Sequence, residues 1–164
     1  TFMDIDRTIV TQSAKETQKV GREHALSLIA DSKRGVVRLP YILCLSGDLG
    51  SGKTTYVQGF AIGLGIASRL LSPTFIIVRR YEIPQTALFF YHIDLYRIAI
   101  EKDLETLGIR EIMQNPYAIV AIEWAEKLTE LPDNRLDIWF TVDEKENHHI
   151  TIKSNTDKAL SFQT

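Results

Sequence analysis

The chain has 164 residues, 45% of them hydrophobic and 24% charged, with a net charge of −2 and one cysteine. This size and composition predict one globular α/β domain over residues 1–164, with residues 155–164 as a frayed tail. The balanced charge argues against independent nucleic-acid binding, which needs a basic surface. No apolar segment approaches the ~20 residues that span a bilayer, and Cys44 has no disulfide partner. We therefore expect a cytoplasmic protein that makes no membrane contact.

The first half of the chain has the pattern of helix, strand and helix. Ser13 and Glu16 have the spacing of a capping box, which predicts a helix over residues 13–32. A continuous apolar run that ends at a glycine-rich turn, "YILCLS", predicts a buried parallel strand. Apolar residues then recur at helical spacing between positions 57 and 64, which predicts a helix with one face on a sheet.

The second half is richer in strands. Strands are expected at the segments "TFIIVRRYEI", "ALFFYHID" and "YAIVAIEW", with a turn at "PQT" after the first. A charged surface helix is expected over residues 101–114. The segment "RLDIWFTVDEKENHHITIKS" predicts a hairpin added to the edge of the sheet.

A phosphate-binding motif lies between the first strand and its helix. Gly47, Gly52, Lys53 and Thr54 match G-x-x-x-x-G-K-[ST], in which backbone N–H groups surround phosphates and the lysine reaches the β and γ phosphates. The threonine hydroxyl is a ligand for Mg²⁺. The alternative, a glycine-rich turn with a surface lysine, explains the strand and helix around the motif less well. The sequence thus predicts a P-loop NTPase-like three-layer fold with a mixed, mostly parallel central sheet and a C-terminal hairpin.

Acidic residues end two of the predicted strands. Asp94 follows "LFFYHI" and Glu123 follows "AIVAI". Ligands of parallel α/β sheets lie at the carboxyl ends of strands, so both carboxylates could reach the phosphate loop. One could orient magnesium while the other positions water. The alternative is that each caps a following helix or pairs with an arginine such as Arg97. Trp124 is either a core residue or a surface on which a base stacks.

The histidines carry weaker signals. His92 lies in an apolar strand and is interpreted as a structural histidine with satisfied hydrogen bonds. His148 and His149 point to opposite faces of a strand, which is poor geometry for a shared metal. We interpret this pair as solvent-facing and incidental.

The nucleotide is expected to be ATP, because the chain lacks the N-K-x-D motif that recognises guanine. A small-molecule P-loop kinase is the main alternative, although such enzymes ordinarily carry an arginine-rich lid. A nucleotide-binding module without turnover is a third possibility.

Four segments in this order, "GDLGSGKTT", "SPTF", "HIDLYR" and "EWAEKL", resemble the bacterial TsaE family, also called YjeE, and "TQKVG" resembles its N-terminal helix. The resemblance implies a Mg²⁺-dependent ATPase that is slow alone and works with the TsaD and TsaB proteins. That assembly makes N6-threonylcarbamoyladenosine at position 37 of tRNAs that read ANN codons. In the family, TsaE is not the transferase and meets tRNA only indirectly, through the complex.

The resemblance also implies roles for individual residues. Catalytic roles fall on Lys53, Asp94 and Glu123, and magnesium-linked roles fall on Thr54, Asp94 and Glu123. Positions near the base are Thr17 and Trp124, and Thr74 of "SPTF" would sense the γ phosphate. The phosphate-binding positions are Gly50, Ser51, Gly52, Lys53, Thr54 and Thr55. The chain departs from the family at Arg79 and Arg80, where more polar residues are common, and this alters the charge next to the "SPTF" segment.

Overall fold

The computed structural model describes residues 6–66, 77–98 and 107–155. Its strands are β1 (Arg7–Thr11), β2 (Tyr41–Gly47), β3 (Val78–Glu82), β4 (Phe89–Asp94), β5 (Ala118–Glu123), β6 (Arg135–Val142) and β7 (His148–Asn155). The helices are α1 (Ala14–Lys33), α2 (Lys53–Gly63) and α3 (Ile109–Met113), followed by a short 3-10 helix at Ala125–Lys127. None of the helices within these ranges is long and apolar enough to cross a bilayer.

The strands form one mixed sheet in the order β1-β7-β6-β2-β5-β4-β3. Strands β6, β2, β5 and β4 run parallel in the centre, and the outer pairs are antiparallel. One apolar core packs α1 and α2 on one face of the sheet, and a second core packs α3 on the other face. The predicted three-layer fold with a mixed sheet and a C-terminal hairpin is therefore confirmed.

The structure corrects three details of the prediction. Strand β1 was missed, and it pairs with β7, so the hairpin is covered on its outer side rather than lying at the sheet edge. A continuous helix over 101–114 is wrong, because Gly108 has a left-handed φ of +69° and α3 begins after it. Asn155, expected to fray, pairs with Arg135 in the hairpin. Residues 99–106 and 156–164 lie outside the described ranges.

Helix α1 begins where the capping box predicted. The Ser13 hydroxyl accepts a hydrogen bond from the Glu16 N–H at 3.1 Å, while the Glu16 carboxylate accepts one from the Gln12 N–H at 2.6 Å. This return bond reaches the residue before the N-cap, one position earlier than in the usual capping box. The start of α1, and with it Thr17, is thereby fixed close to the end of β1.

Helices α1 and α2 pack so closely that their backbones are in contact. A Cβ atom added to Gly59 would overlap the carbonyl oxygen of Gln18, and one added to Gly21 would overlap the carbonyl oxygen of Tyr56. Glycine is therefore required at both positions by the close approach. Helix α2, which follows the phosphate loop, is held between the sheet and α1.

A buried histidine lies between these helices and β2. The His24 ring is inaccessible to solvent, and its nitrogens lie 2.6 Å from the Tyr56 hydroxyl and 2.8 Å from the Tyr41 hydroxyl. Burial, with a smaller effect of the Arg7 charge, lowers the pKa of His24 to about 3. The ring is neutral in the folded protein, so one nitrogen donates a hydrogen bond and the other accepts one.

We expect His24 to make the folded state less stable in acid. In the unfolded chain this histidine takes up a proton near pH 6.5, while in the folded protein its pKa is about 3. Between these values the unfolded state binds more protons, so the free energy of unfolding falls as the pH is lowered, by at most about 1.4 kcal/mol per pH unit from this group.

Urea denaturation between pH 7 and pH 5 measures this slope. His24→Gln keeps polar atoms near both hydroxyls but does not titrate, so its stability should fall less steeply. Equal slopes for His24→Gln and the parent protein would contradict the assignment.

Candidate functional site

The phosphate-binding motif forms a loop that closes around its own lysine. The Lys53 ammonium group donates hydrogen bonds to the carbonyl oxygens of Gly47, at 2.5 Å, and Asp48, at 2.8 Å, and lies 3.3 Å from the Ser51 hydroxyl. Gly47 has a φ of +145°, and a Cβ atom there would overlap the carbonyl oxygen of Phe140 on β6. The glycine lets the loop pass directly against the neighbouring strand.

Helix α2 begins where the loop ends, and no side chain caps its N-terminus. Gly52 is the N-cap, with a φ of +111° and no side-chain cap hydrogen bond, and Lys53 is the first helical residue. The first backbone N–H groups of a helix have no partner within the helix and attract anions. Strand, glycine-rich loop and helix N-terminus therefore have the arrangement that the motif predicted.

Lys53 is almost fully buried, with 5% exposure. Burial lowers the pKa of its ammonium group, and the carboxylates of Glu123, Glu126, Asp48 and Asp94 oppose that shift. Its Nζ lies 4.2 Å from the centre of the Trp124 ring. A buried cation that bonds to carbonyl oxygens of its own loop can exchange these partners for an anionic ligand.

Both predicted acids lie at the carboxyl ends of central strands. Asp94 of β4 and Glu123 of β5 are register partners, and Glu123 is also the register partner of Leu45 in β2, two residues before the loop. The Thr54 hydroxyl donates to Glu123 Oε1 at 2.6 Å. The structure thus brings the loop threonine and the acid of β5 into direct contact.

Asp94 has a more exposed environment than Glu123. It is half-buried, and its Oδ1 accepts the Tyr96 N–H at 3.0 Å. This bond is a local turn contact of the kind that aspartate side chains commonly form. Burial raises the pKa of Asp94, as does the nearby Glu123, while the Tyr96 N–H lowers it.

His92 takes part in the same site. It is buried as predicted, and its hydrogen bond is made to Glu123: the His92 Nε2 lies 2.5 Å from Glu123 Oε2. Each oxygen of this carboxylate thus has its own donor, Thr54 on one side and His92 on the other. The pairing of β4 with β5 creates the contact, and the order of residues in "YHID" gave no sign of it.

Two further predicted residues lie beside the loop. Trp124 has a left-handed φ of +60°, and its ring lies 5.2 Å from that of Tyr96. The Thr17 hydroxyl is hydrogen bonded to that of Thr11 at 2.7 Å, and its methyl group lies 3.6 Å from where a Gly52 Cβ would be. Thr74 lies outside the described residues.

His148 was interpreted wrongly. Its Nδ1 lies 2.7 Å from the carbonyl oxygen of Ser51 in the phosphate loop, so the ring is half-buried and hydrogen bonded to the loop. His149 instead lies 2.9 Å from an Asp143 carboxylate oxygen. The contact joins residues 97 positions apart, which no local pattern could indicate. Within the described ranges, no group of three or more His, Cys, Asp or Glu side chains is placed to hold a metal ion.

Most of this chain matches a family of known proteins. Residues 11–151 match the family model described as threonylcarbamoyl adenosine biosynthesis protein TsaE. A Borreliella burgdorferi protein, "tRNA threonylcarbamoyladenosine biosynthesis protein TsaE", is 45% identical over 96 residues, which are 58% of this chain and 68% of that protein. The Bacillus subtilis protein of the same name is 44% identical over 98 residues, 59% of each chain.

A third relative of this name, from Aquifex aeolicus, is 33% identical over 127 residues, which are 76% of this chain and 81% of that protein. Among solved structures, Bacillus subtilis YdiB superposes with a TM-score of 0.70 at 29% sequence identity. The superposition covers 93% of this chain and 87% of YdiB. The fold of YdiB therefore extends over almost all of this chain.

The contact between His92 and Glu123 makes a prediction about stability. Replacing His92 by Phe leaves a buried carboxylate oxygen without its donor, which should lower the free energy of unfolding by about 2 to 3 kcal/mol. In a Glu123→Gln background the same replacement should cost less, because an amide is less costly to bury unpaired than a carboxylate.

Urea denaturation of the four proteins in this double-mutant cycle, without nucleotide, gives the coupling energy. An equal cost of His92→Phe in both backgrounds would show that the two side chains are not energetically coupled.

Proposed function

The chain belongs to the TsaE family, and on this basis we propose that it binds ATP with Mg²⁺ and hydrolyses it to drive or regulate a TsaD–TsaB assembly. That assembly would make N6-threonylcarbamoyladenosine at position 37 of tRNAs that read ANN codons. The observation that carries the proposal is the buried Lys53 inside a glycine-rich loop, next to a Thr54–Glu123 hydrogen bond. The proposed location is the cytoplasm, and the protein would contact tRNA only indirectly, through the complex.

The residues of the loop suit a triphosphate. The carbonyl oxygens that now accept hydrogen bonds from Lys53 belong to the loop itself, so the ammonium group can turn to phosphate oxygens without leaving the site. The N-terminus of α2, which has no side-chain cap, adds N–H groups that have no partner within the helix. Gly50, with a φ of +78° and no atom within 4 Å of an added Cβ, leaves the outer side of the loop open.

The donor atoms near the loop also fit Mg²⁺. This ion prefers oxygen ligands, keeps several waters, and is usually held by one or two carboxylates together with phosphates. Thr54, Asp94 and Glu123 supply such oxygens, so a cluster of three acidic or histidine ligands is not needed. When bound, the ion would neutralise negative charge on the β and γ phosphates.

The contacts suggest different roles for the two acids. Glu123 accepts a hydrogen bond from the Thr54 hydroxyl and another from His92. It would therefore orient the threonine oxygen toward the metal. Asp94 is more exposed and lies at the end of the adjacent strand, where it would hold the attacking water. We therefore assign metal positioning to Glu123 and water positioning to Asp94.

ATP hydrolysis by the purified protein tests the proposal as a whole. Phosphate release with Mg²⁺ should be slow for the protein alone and faster with stoichiometric TsaD and TsaB, because a partner can order the water or the loops around it. Lys53→Ala should remove both tight ATP binding and the stimulated activity. Rapid phosphoryl transfer to a small alcohol without partners would indicate a kinase instead, and tight ATP binding without any phosphate release would indicate a binding module.

Two conservative variants test whether Glu123 and Asp94 have these different roles. Glu123→Gln should raise the Mg²⁺ concentration needed for ATP binding roughly tenfold or more, because it alters the group that orients Thr54. Asp94→Asn should leave ATP affinity within about twofold but reduce phosphate release roughly a hundredfold.

Calorimetric titrations of Mg²⁺ and ATP, with phosphate release measured in parallel, separate the two effects. Glu144→Gln, in the exposed hairpin turn, is the control. Identical effects of the two variants on both quantities would overturn the division of roles.

A further inference from the structure

The carbonyl oxygen of Ser51 in the phosphate loop has a side-chain partner on a distant strand. The Nδ1 of His148 lies 2.7 Å from it. A carbonyl oxygen can only accept, so Nδ1 carries the proton and donates. Ser51 itself is 2% exposed and His148 is half-buried, so the bond is partly shielded from competing water.

This bond controls the orientation of one peptide group. The peptide that joins Ser51 to Gly52 is planar and trans, so its N–H points opposite to its C=O. With the oxygen held toward His148, the N–H of Gly52 points away from β7. Gly52 has a φ of +111°, a conformation open mainly to glycine.

The position of His148 is itself well determined. It starts β7 and is the register partner of Thr11 in β1 and of Val142 in β6. The preceding turn is closed by the Asp143 side chain, whose Oδ1 accepts the N–H groups of Lys145 and Asn147. A hydrogen bond from a residue paired on both sides can hold a loop that has no regular structure of its own.

Side chains from three elements face Gly52 on one side. A Cβ atom at Gly52 would lie 3.4 Å from His148 Nδ1, 3.6 Å from the Thr17 methyl group and 3.7 Å from the Phe140 ring. Residues of β7, α1 and β6 thus surround Gly52 on one side, and His148 supplies the hydrogen bond among them.

We propose that His148 is a positioning residue for nucleotide binding: by donating to the Ser51 carbonyl oxygen it directs the Gly52 N–H at the bound phosphates. The same bond polarises the peptide and makes that N–H a stronger donor, because hydrogen bonds in a chain reinforce each other. This inference rests on the proposed function, in that the loop must bind the phosphates of a nucleotide.

The test uses variants that differ in the position of one donor. In His148→Asn the side-chain amide nitrogen can take the place of Nδ1, whereas in His148→Gln it lies one bond further out and in His148→Leu it is absent. His149→Asn is the matched control, since His149 faces Asp143 and not the loop.

Affinities for ATP and for inorganic tripolyphosphate are measured by calorimetry with the whole chain. The NMR signals of the Ser51 carbonyl carbon and the Gly52 amide are recorded in the absence of ligand, and urea denaturation checks the fold of each variant. The tripolyphosphate shows whether an effect acts on phosphates, because it lacks a base.

We expect His148→Leu and His148→Gln to bind both ligands about tenfold more weakly, the size of effect of one buried hydrogen bond. His148→Asn and His149→Asn should bind within about twofold of the parent protein. The Ser51 and Gly52 signals should shift in the Leu variant and return toward the parent positions in the Asn variant.

Two results would overturn the inference while leaving the proposed function intact: parent-like affinity in a folded His148→Leu protein, or equal loss in the Leu and Asn variants. Failure of the parent protein to bind either ligand would instead overturn the proposed function, and the role of His148 with it.

Discussion

The site depends on one buried carboxylate, Glu123, which is 1% exposed and hydrogen bonded on both oxygens. The Thr54 hydroxyl binds one oxygen and the His92 ring binds the other, so the carboxylate connects the helix after the phosphate loop to the next strand of the sheet. A carboxylate in this position is favourable only while both donors are present. Parallel pairing of β2 with β5 and of β5 with β4 is what brings the three residues together.

The phosphate loop is held from several directions although it has no regular structure. Helix α2 cannot move away from α1 without losing the backbone contact at Gly59, and Gly47 lies against the carbonyl oxygen of Phe140. On the side of β7, His148 binds the loop through the Ser51 carbonyl. The hairpin and β1, which lie far from the motif in the chain, therefore contribute to the geometry of the phosphate loop.

The sequence predicted those parts of the structure that local patterns encode. The capping box of α1, the apolar run of β2, the loop motif and the acids at the ends of β4 and β5 each depend on neighbouring residues, and all were located correctly. The partners of His92 and His148 depend on strand pairing between segments 31 and 97 residues apart, which periodicity does not encode. Strand β1 was missed because five residues that alternate in exposure are a weak signal next to a long helix. The predicted helix over 101–114 includes Gly108, which is the N-cap of α3. The left-handed φ of this glycine depends on the fold, so the local sequence did not reveal it.

The central proposal is that a metal-bound nucleotide lies between the phosphate loop and the acids of β4 and β5. A crystal structure with Mn²⁺ and a non-hydrolysable ATP analogue, recorded for the anomalous signal of manganese, tests it most directly. We expect an anomalous peak beside the Thr54 hydroxyl and within reach of Asp94 and Glu123, with the Lys53 ammonium group hydrogen bonded to phosphate oxygens. A nucleotide bound elsewhere, or manganese away from these three side chains, would contradict it.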